Sequence, residues 1–375
     1  MQDKIPGLYI HIPFCLGKCP YCSFYSEVNL SSIDAFLNAL QKEMGLVRNL
    51  FGQYDTVYIG GGTPSVLNPQ QLHCLLDNVR NNFILSPDME VTLEVNPADL
   101  NPLFLESVKS SGINRLNIGI QSFDPTTLRF LGRRHSSRQA VAAIELSRQT
   151  GFANMGLDLI YGVPGQKMES WLATLSQALI LGPEHLSCYQ LTIEKNTPLG
   201  VRLQKGEFHL PGEDDQLDFF MKTSAILEKA GYIHYEVSNF AKEEKLTSRH
   251  NQKYWNHSPY LGLGPAAHSF SGNQRRWNDP SLFSYIANLA AGKLPILETE
   301  TLTLKQLRLE ALALGFRTSR GVSLKDFAEQ YQYDLLSAKR AILTRFEEEG
   351  LLAIQGGYLR PTRAGFAVAD SLALI

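Results

Sequence analysis

The sequence predicts an α/β protein built on a sheet of parallel strands, and two observations support this. Short β-rich runs alternate with amphipathic helical segments through the first half of the chain, and the runs are apolar on both faces. Successive strand–helix units imply parallel strands joined by right-handed crossovers. Strands without a polar face fit a sheet that helices cover. A barrel and an open doubly wound sheet both satisfy this pattern.

Each predicted element follows from a change of hydrophobic period along the chain. The predicted strands are residues 8–14, 56–60, 90–96, 115–120, 156–160 and 185–191. The helices predicted between them are residues 33–50, 69–82, 102–110, 137–150 and 169–181. Six strands with intervening helices account for the first 195 residues, which we expect to form one domain.

Polar and glycine-rich residues gather just past the carboxyl ends of these strands. Three cysteines follow the first strand, and Gly60-Gly61-Gly62-Thr63 follow the second. Glu94 lies near the end of the third strand, Gln121 follows the fourth, and Asp158 lies near the end of the fifth. In βα barrels the active site is built at this edge. The distribution therefore predicts where the chemistry takes place.

The alternation fails beyond residue 191. Residues 195–270 are predicted to be loop-rich with a helix near 215–230, and we expect an extension of the core at 196–300. From 301 to 375, three helical segments (303–316, 324–331 and 335–349) precede two apolar runs separated by Gly356-Gly357, a hairpin signal. Three helices and a hairpin predict a winged-helix-like domain.

Charge and composition exclude several classes of protein. Thirty-five Lys and Arg against 37 Asp and Glu give a net charge of −2, which argues against a nucleic-acid carrier. The segment 321–375 is itself slightly acidic, so we interpret it as a packing or partner module. No apolar run approaches the roughly 18 residues of a membrane span, and the start has no signal-peptide pattern. We expect a cytoplasmic protein that is not integral to a membrane.

Five cysteines in a chain of 375 residues do not make a disulfide framework. Cys74 and Cys188 stand alone and are predicted to be small buried hydrophobes. Cys15-x3-Cys19-x2-Cys22 offers three thiolates from one loop. Structural zinc needs four ligands, and His11 is an awkward fourth because it lies within the first strand. An iron–sulfur cube held by three cysteines, with one iron left open, fits better.

Several stretches of the chain together carry a family resemblance. They are Tyr9-Ile10-His11-Ile12-Pro13-Phe14-Cys15, Cys19-Pro20-Tyr21-Cys22, Gly60-Gly61-Gly62-Thr63-Pro64-Ser65, Leu93-Glu94-Val95-Asn96-Pro97, Ile118-Gly119-Ile120-Gln121-Ser122-Phe123, Gly132-Arg133-Arg134-His135 and Asp158-Leu159-Ile160-Tyr161-Gly162-Val163-Pro164. They resemble the radical S-adenosylmethionine (SAM) signature of the oxygen-independent coproporphyrinogen III oxidase family, which includes HemN and HemW. The resemblance extends into the C-terminal segment. It implies a six-stranded partial (βα)6 barrel of the TIM type followed by a smaller helical domain.

The resemblance also implies the cofactors. A [4Fe-4S] cluster would be held by Cys15, Cys19 and Cys22, and the amino and carboxylate groups of SAM would chelate the open iron. The positions that match the SAM pocket of the family are Tyr9, Gly61, Gly62, Thr63, Glu94, Gln121, Arg133 and Asp158. Glycines allow close approach of backbone, carboxylates accept hydrogen bonds, and arginine pairs with a carboxylate.

Within the family the chain resembles the HemW branch more than the oxidase branch. Phe24 stands where oxidases carry a fourth cysteine, the match near Thr192 is weak, and the first strand starts near residue 8 without the oxidases' long N-terminal segment. His250-Asn251-Gln252-Lys253-Tyr254-Trp255 resembles the His-Asn-x-x-Tyr-Trp segment proposed to bind heme in HemW. The resemblance makes His250, Tyr254 and Trp255 candidate heme residues, because imidazole ligates heme iron and aromatic rings stack on porphyrins.

The residues alone leave alternatives open. His250 could cap a loop that Tyr254 and Trp255 anchor, and His257 or His268 could be the heme ligand. The hypothesis is a heme chaperone that binds the cluster and SAM and carries heme to an acceptor hemoprotein, such as a membrane respiratory enzyme. The alternative is an oxygen-independent coproporphyrinogen III oxidase of porphyrin biosynthesis. A winged-helix DNA regulator with a redox cluster is a third hypothesis, against which the acidic C-terminal segment argues.

Overall fold

The first half of the chain alternates strands and helices in the computed structural model, which describes residues 4–375. The elements are β1 (Gly7–Ile12), α1 (Ile33–Val47), β2 (Tyr54–Gly61), α2 (Pro69–Asn82), β3 (Leu85–Val95), α3 (Pro102–Ser110), β4 (Arg115–Gln121), α4 (Pro125–Phe130), α5 (Ser137–Gln149), β5 (Met155–Tyr161), α6 (Met168–Leu181) and β6 (His185–Gln190). Strands β1 to β6 pair in chain order, and every pair is parallel. This confirms the predicted α/β fold with a parallel sheet. Helix α4 was not predicted, because a segment of six residues is too short to show a helical period.

The following segment contains more regular structure than the loop-rich prediction. Its elements are α7 (Pro198–Gln204), α8 (Glu213–Lys229), β7 (Ile233–Glu236), β8 (Asn239–Ala241), α9 (Arg249–Trp255), β9 (Tyr260–Leu263), β10 (His268–Ser271), β11 (Gln274–Asn278), α10 (Leu282–Ala290) and β12 (Ile296–Thr301). Helix α8 confirms the helix predicted near 215–230. The strands have only three to six residues each, too few for an alternation of apolar and polar residues to stand out.

These short strands extend the parallel sheet on both sides. Strand β9 pairs in parallel with β1, and β10, β11 and β12 follow it antiparallel to one another. On the other side β8 pairs antiparallel with β6, and β7 with β8. The order is β12-β11-β10-β9-β1-β2-β3-β4-β5-β6-β8-β7. Among residues 4–375 the sheet thus has twelve strands, twice the number that the sequence predicts.

The C-terminal segment packs around a second apolar cluster of its own. Its elements are α11 (Leu304–Gly315), β13 (Val322–Ser323), α12 (Leu324–Tyr331), α13 (Leu335–Glu348), β14 (Leu352–Gln355), β15 (Tyr358–Pro361), α14 (Arg363–Ala367) and α15 (Ala369–Leu372). Gln355 pairs with Tyr358, so Gly356-Gly357 form a two-residue hairpin turn with φ of 59° and 80°. Both angles are left-handed, as this turn requires. The predicted hairpin is confirmed.

The main core lies between the parallel sheet and its helices. Leu8, Ile10 and Ile12 of β1 are all fully buried, as expected of a strand without a solvent face. Cys188 of β6 is buried as predicted, whereas the prediction for Cys74 was wrong because this thiol is exposed on α2. The side chains that α2 buries are Leu72, Leu75, Leu76 and Val79, so position 74 lies on its solvent side. Among the described residues, no helix is both long and apolar enough to cross a membrane.

A buried carboxylate joins the extension to the core. Glu43 of α1 accepts hydrogen bonds from the Gly264 N–H at 2.9 Å, the Asn278 amide at 2.6 Å and the Tyr285 hydroxyl at 2.6 Å. Burial raises the pKa of Glu43 to about 7, although these three donors oppose the shift. The contacts fix β9, β11 and α10 against the first helix of the core.

Candidate functional site

A cavity of about 440 Å³ opens among the parallel strands, beside the loop that follows β1. Seven of the eight predicted SAM residues and all three clustered cysteines line it; they are Gly61, Gly62, Thr63, Glu94, Gln121, Arg133 and Asp158, with Cys15, Cys19 and Cys22. Most of them come from the carboxyl end of a strand or from the loop after it, whereas Arg133 follows α4 and Asp158 lies in the middle of β5. The structure therefore brings together the residues that the sequence predicts at this edge.

The cysteine loop is shaped by backbone hydrogen bonds at both ends. The Cys15 N–H donates to the Glu27 carbonyl at 2.9 Å, and the Cys22 N–H donates to the Cys19 carbonyl at 3.1 Å. The Cys15 Sγ lies 3.4 Å from the Thr63 hydroxyl. Among residues 4–375, no three His, Cys, Asp or Glu side chains converge closely enough to hold a single metal ion. A cubane binds each thiolate to a different iron, so it requires wider spacing between thiols than zinc does.

His11, considered above as a fourth zinc ligand, is occupied elsewhere. Its Nε2 lies 2.9 Å from the Tyr25 carbonyl and therefore donates to it. Its Nδ1 then accepts from the Tyr9 hydroxyl at 3.1 Å. Tyr9 does not line the cavity, so it reaches the site only through His11 and through Tyr58, on which its ring stacks.

The glycines after β2 make room for neighbouring groups. Gly61 has a φ of 110°, and a Cβ at this position would lie 2.5 Å from the His11 Nδ1. The Gly62 and Thr63 N–H groups donate to the Ile12 and Phe14 carbonyls at 2.8 and 2.7 Å. Those N–H groups are therefore used within the protein, and the glycines act by lacking a side chain.

Two buried carboxylates face the cavity. Glu94 accepts a hydrogen bond from the Tyr58 hydroxyl at 2.7 Å and one from the Gly61 N–H at 3.3 Å. Burial raises its pKa to about 7. Asp158 accepts from the Asn117 amide at 2.7 Å, and burial raises the pKa of Asp158 as well. Both carboxyl groups line the cavity, where their oxygens can accept hydrogen bonds from hydroxyl or amino groups of a bound ligand.

Arg133 links the cysteine loop to the sheet. Its Nη1 donates to the Cys19 Sγ at 3.3 Å, and its Nη2 donates to the Gly119 carbonyl of β4 at 2.7 Å. Gln121, at the end of β4, has a φ of 66°. A left-handed backbone is uncommon for a residue other than glycine and is often found at functional sites.

The predicted heme residues lie on α9, away from the lining of this cavity. His250 is only 1% exposed, and its Nδ1 lies 2.9 Å from the Thr56 hydroxyl. Its Nε2 lies 2.8 Å from the Tyr254 hydroxyl. Burial lowers the pKa of His250 to about 3. The imidazole is thus neutral at physiological pH with both nitrogens hydrogen-bonded, and of this segment only Asn251 lines the cavity.

The other two candidate histidines have different surroundings. His257 lies 3.1 Å from the Tyr331 hydroxyl and 3.2 Å from the Glu310 carboxylate. Together with Trp255 it lines a second cavity of about 320 Å³, between α9 and the C-terminal segment. His268 stacks on Trp277, with ring centroids 5.5 Å apart.

Sequence reasoning missed part of the lining. Arg115 and Asn117 of β4 and His185 and Ser187 of β6 line the same cavity. In each strand these polar residues recur at every second position, so they face one side of the sheet. That period of two within otherwise apolar strands is the signal that could have identified them.

Comparisons with known proteins identify the relatives of this chain. Residues 9–178 match the Radical SAM superfamily, and residues 302–368 match the HemN C-terminal domain. The chain is 36% identical over 348 residues to the heme chaperone HemW of Bacillus subtilis (strain 168), with 92% of each chain covered. It is 35% identical over 372 residues to the heme chaperone HemW of Mycobacterium tuberculosis (strain ATCC 25618 / H37Rv), covering 98% of this chain and 93% of that one. The chain belongs to the HemW family of radical SAM proteins.

A solved structure shares the fold. Coproporphyrinogen III oxidase (HemN) from Escherichia coli matches with a TM-score of 0.85, covering 99% of this chain and 90% of that chain at 24% identity. Membership in the radical SAM superfamily gives a [4Fe-4S] cluster and SAM as the cofactors. The residues present fit these groups, because three thiols of one loop face a cavity that also holds Glu94, Arg133 and Asp158.

Proposed function

We propose that this protein is a heme chaperone that carries a [4Fe-4S] cluster, binds SAM and transfers heme to an acceptor hemoprotein. The observation that supports it most is the cysteine loop, which offers Cys15, Cys19 and Cys22 to the cavity and has Phe24 in place of a further cysteine. Phe24 is 67% exposed at the cavity edge. The two relatives at 35 and 36% identity are both heme chaperones by name, and the oxidase alternative is not favoured.

In this proposal the three thiolates hold the cluster and the cavity holds SAM. When bound, the cluster supplies one-electron transfer to SAM. Arg133 positions the Cys19 thiolate and can pair with the SAM carboxylate. Glu94 and Asp158 accept hydrogen bonds from SAM, and the bare backbone at Gly61 and Gly62 gives it space. Gln121 and Thr63 complete the contacts, while Tyr9 supports them through His11.

Heme binding by His250, Tyr254 and Trp255 remains a prediction. An iron bond to His250 requires one of its two hydrogen bonds, to Thr56 or to Tyr254, to break first. His257 lies beside Trp255 in the second cavity and is the alternative ligand. The two predictions differ in which imidazole is needed, so single substitutions distinguish them.

The remaining parts of the proposal concern architecture and partners. We propose a radical SAM core at 1–195 in which β1 to β6 form a six-stranded partial barrel, an extension at 196–300 and a winged-helix-like domain at 301–375. Strands β1 and β6 do not pair with each other, because each pairs with a strand of the extension instead. This supports a partial barrel rather than a closed one. The acceptor is proposed to be a hemoprotein, such as a membrane respiratory enzyme, and the location is proposed to be the cytoplasm.

Hemin binding and transfer by the anaerobically reconstituted protein test the function. We expect a Soret band on adding hemin, and its transfer to an apo-hemoprotein in the presence of SAM. His250→Ala is expected to abolish the band if His250 is the ligand, and His257→Ala if His257 is. His73→Ala, which changes an exposed histidine of α2, is the matched control.

The oxidase alternative is tested in the same preparation. Coproporphyrinogen is added with SAM and a reductant, and the products are analysed for protoporphyrinogen. Formation at catalytic turnover contradicts a protein that only carries heme. A preparation with full iron content that neither binds hemin nor transfers it contradicts the chaperone proposal.

A further inference from the structure

The floor of the main cavity carries polar side chains that the proposed cofactors do not use. Arg115 is the first residue of β4 and His185 the first residue of β6, and each is only 1% exposed. Asn117 lies two residues along β4. All three line the cavity at the amino-terminal ends of the strands, opposite the end where the cysteine loop lies.

These groups converge over a glycine of the strand between them. A Cβ at Gly156 of β5 would lie 2.6 Å from the Asn117 Oδ1, 3.2 Å from an Nη of Arg115 and 3.3 Å from the His185 Nδ1. The three polar side chains therefore pack directly against the bare backbone of Gly156, where a side-chain carbon would not fit. The cluster of Arg115, Asn117, His185 and Gly156 is called the floor site below.

Two donors of the floor site have no partner within the described residues, 4–375. The Arg115 Nε is buried without a hydrogen bond, and so is the His185 Nδ1. The other nitrogen of His185 lies 2.7 Å from the Tyr235 hydroxyl, which itself accepts from the Ser248 N–H at 3.3 Å. In the tautomer in which the Tyr235 hydroxyl donates to the His185 Nε2, the ring proton lies on Nδ1 and makes it a donor. Buried donors without an acceptor are costly.

The charges around Arg115 do not neutralise it by a direct contact. Glu94 and Asp158 line the same cavity, yet no ion pair joins Arg115 to any carboxylate among residues 4–375. Burial keeps the pKa values of Glu94 and Asp158 above their usual range, and the charge of Arg115 lowers both only as a minor contribution. Within residues 4–375 the guanidinium thus forms no direct ion pair, and its Nε is a buried donor without a partner.

We propose that the floor site binds the carboxylate of a ligand other than SAM. A carboxylate matches the planar fork of arginine with two parallel hydrogen bonds, and the His185 N–H supplies a third donor. A singly charged group fits better than phosphate because two acidic side chains line the same cavity. The inference rests on the proposed function, in which SAM lies at the cluster and its carboxylate pairs with Arg133, not with Arg115. The carboxylate is either the propionate arm of a porphyrin or a small free carboxylate.

Binding of hemin and of hemin dimethyl ester to the reconstituted, SAM-bound protein tests whether the bound carboxylate is the propionate arm of a porphyrin, here called the porphyrin source. The ester keeps the ring and iron and masks both propionates. For a propionate on Arg115, Arg115→Gln raises the Kd of hemin about tenfold to a hundredfold. The ester is expected to bind the wild type more weakly than hemin does, by a similar factor. Arg115→Gln is expected to weaken the binding of the ester no further. Arg134→Gln is the matched control, because Arg134 lines the same cavity but pairs with Asp99.

Sodium propionate tests the small-carboxylate source by saturation-transfer NMR. Signals that appear with the wild type and vanish with Arg115→Gln support the floor site even where hemin binding is unchanged. If Arg115→Gln changes neither the propionate signals nor the affinity for hemin, in protein with full iron content, the proposal is overturned. If the wild type binds no hemin at all, the proposed function fails, and the propionate measurement still decides on the floor site.

Loss of a buried arginine can also destabilise the protein, so two measurements guard against that. Melting temperature and iron content are compared for wild type, Arg115→Gln and Arg115→Lys. The lysine variant keeps the charge but loses the fork, so its affinity is expected to lie between the other two. The comparison of hemin with its ester on the wild type needs no variant; equal affinities of the two exclude the porphyrin source.

Discussion

Arg133 donates to the Cys19 Sγ across 3.3 Å, so a side chain from the segment after α4 holds a thiol of the loop after β1. The two residues are 114 positions apart in the chain. The same guanidinium donates a hydrogen bond to the Gly119 carbonyl of β4. The geometry of the cysteine loop is thus tied to the sheet through one arginine, and the first two predictions concern this connection.

Replacing any one of the three clustered cysteines is expected to remove the cluster. Each thiolate binds a different iron of a cubane, so Cys15→Ala, Cys19→Ala and Cys22→Ala each leave an iron without a protein ligand. Iron content and the visible absorption of anaerobically reconstituted protein measure the loss. Cys74→Ala, which changes an exposed thiol on α2, should retain full iron content. Zinc in place of iron in wild-type protein purified without oxygen would contradict this prediction.

Arg133→Met is expected to weaken SAM binding about tenfold, because it removes a charge-assisted contact of about 1.4 kcal/mol. The cluster should also be lost faster, since Cys19 loses its hydrogen bond. Equilibrium binding of SAM and the rate of iron release to a chelator measure the two effects. Arg134→Gln is the control, because its guanidinium pairs with Asp99 and not with a cysteine. Equal iron-release rates in the two variants would refute the positioning role of Arg133.

Gly61→Ala is expected to destabilise the fold more than Gly165→Ala. Both glycines have a left-handed φ, 110° and 75°, so both substitutions carry backbone strain of about 1–2 kcal/mol. Only at Gly61 does the added Cβ also meet the His11 ring, whereas nothing lies within 4 Å at Gly165. Urea denaturation should therefore separate the two variants by about 1–3 kcal/mol. Similar free energies of unfolding would show that the strand accommodates the extra carbon.

The stability contributed by His250 depends on pH. Burial lowers the pKa of the folded imidazole to about 3 from its usual value of 6.5. Between these values the unfolded chain binds a proton at this residue and the folded chain does not. The free energy of unfolding therefore decreases as the pH falls from 6.5 toward 3, by up to about 1.4 kcal/mol per pH unit.

Denaturation of wild type and His250→Asn between pH 7 and pH 4.5 measures this contribution. The wild-type free energy should fall more steeply with decreasing pH, because asparagine does not titrate. His209→Asn is the matched control, since His209 is exposed and takes part in none of the contacts of His250. Parallel pH profiles of wild type and His250→Asn would show that the buried imidazole takes up its proton in the folded state as readily as in the unfolded chain.

Much of the core could be predicted from the sequence because each strand is a continuous apolar run closed by a polar or glycine residue. The same pattern placed Glu94, Gln121 and Asp158 at one edge of the sheet, and the structure puts all three in one cavity. Arg115 was missed because a single charged residue at the start of an apolar strand resembles an exposed strand end. Its burial depends on partners from other parts of the chain.

The surroundings of His250 could not be predicted for a related reason. The motif that contains it is recognisable, but its Nδ1 contacts Thr56, which lies 194 positions away in the chain. No local pattern reveals such a contact. The six short strands of the extension are a further example, because β9 and β8 pair with β1 and β6 and the other four extend the sheet from these two.

The placement of those short strands affects how the chain folds during synthesis. Both flanks of the parallel core, β1 and β6, receive their neighbours from residues 239–263, so the ribosome completes the core before either flank is covered. Unpaired flanks attract other chains, and translation at about 5–20 residues per second leaves them bare for several seconds. A chain that ends near residue 200 therefore leaves both flanks unpaired and open to association with other chains.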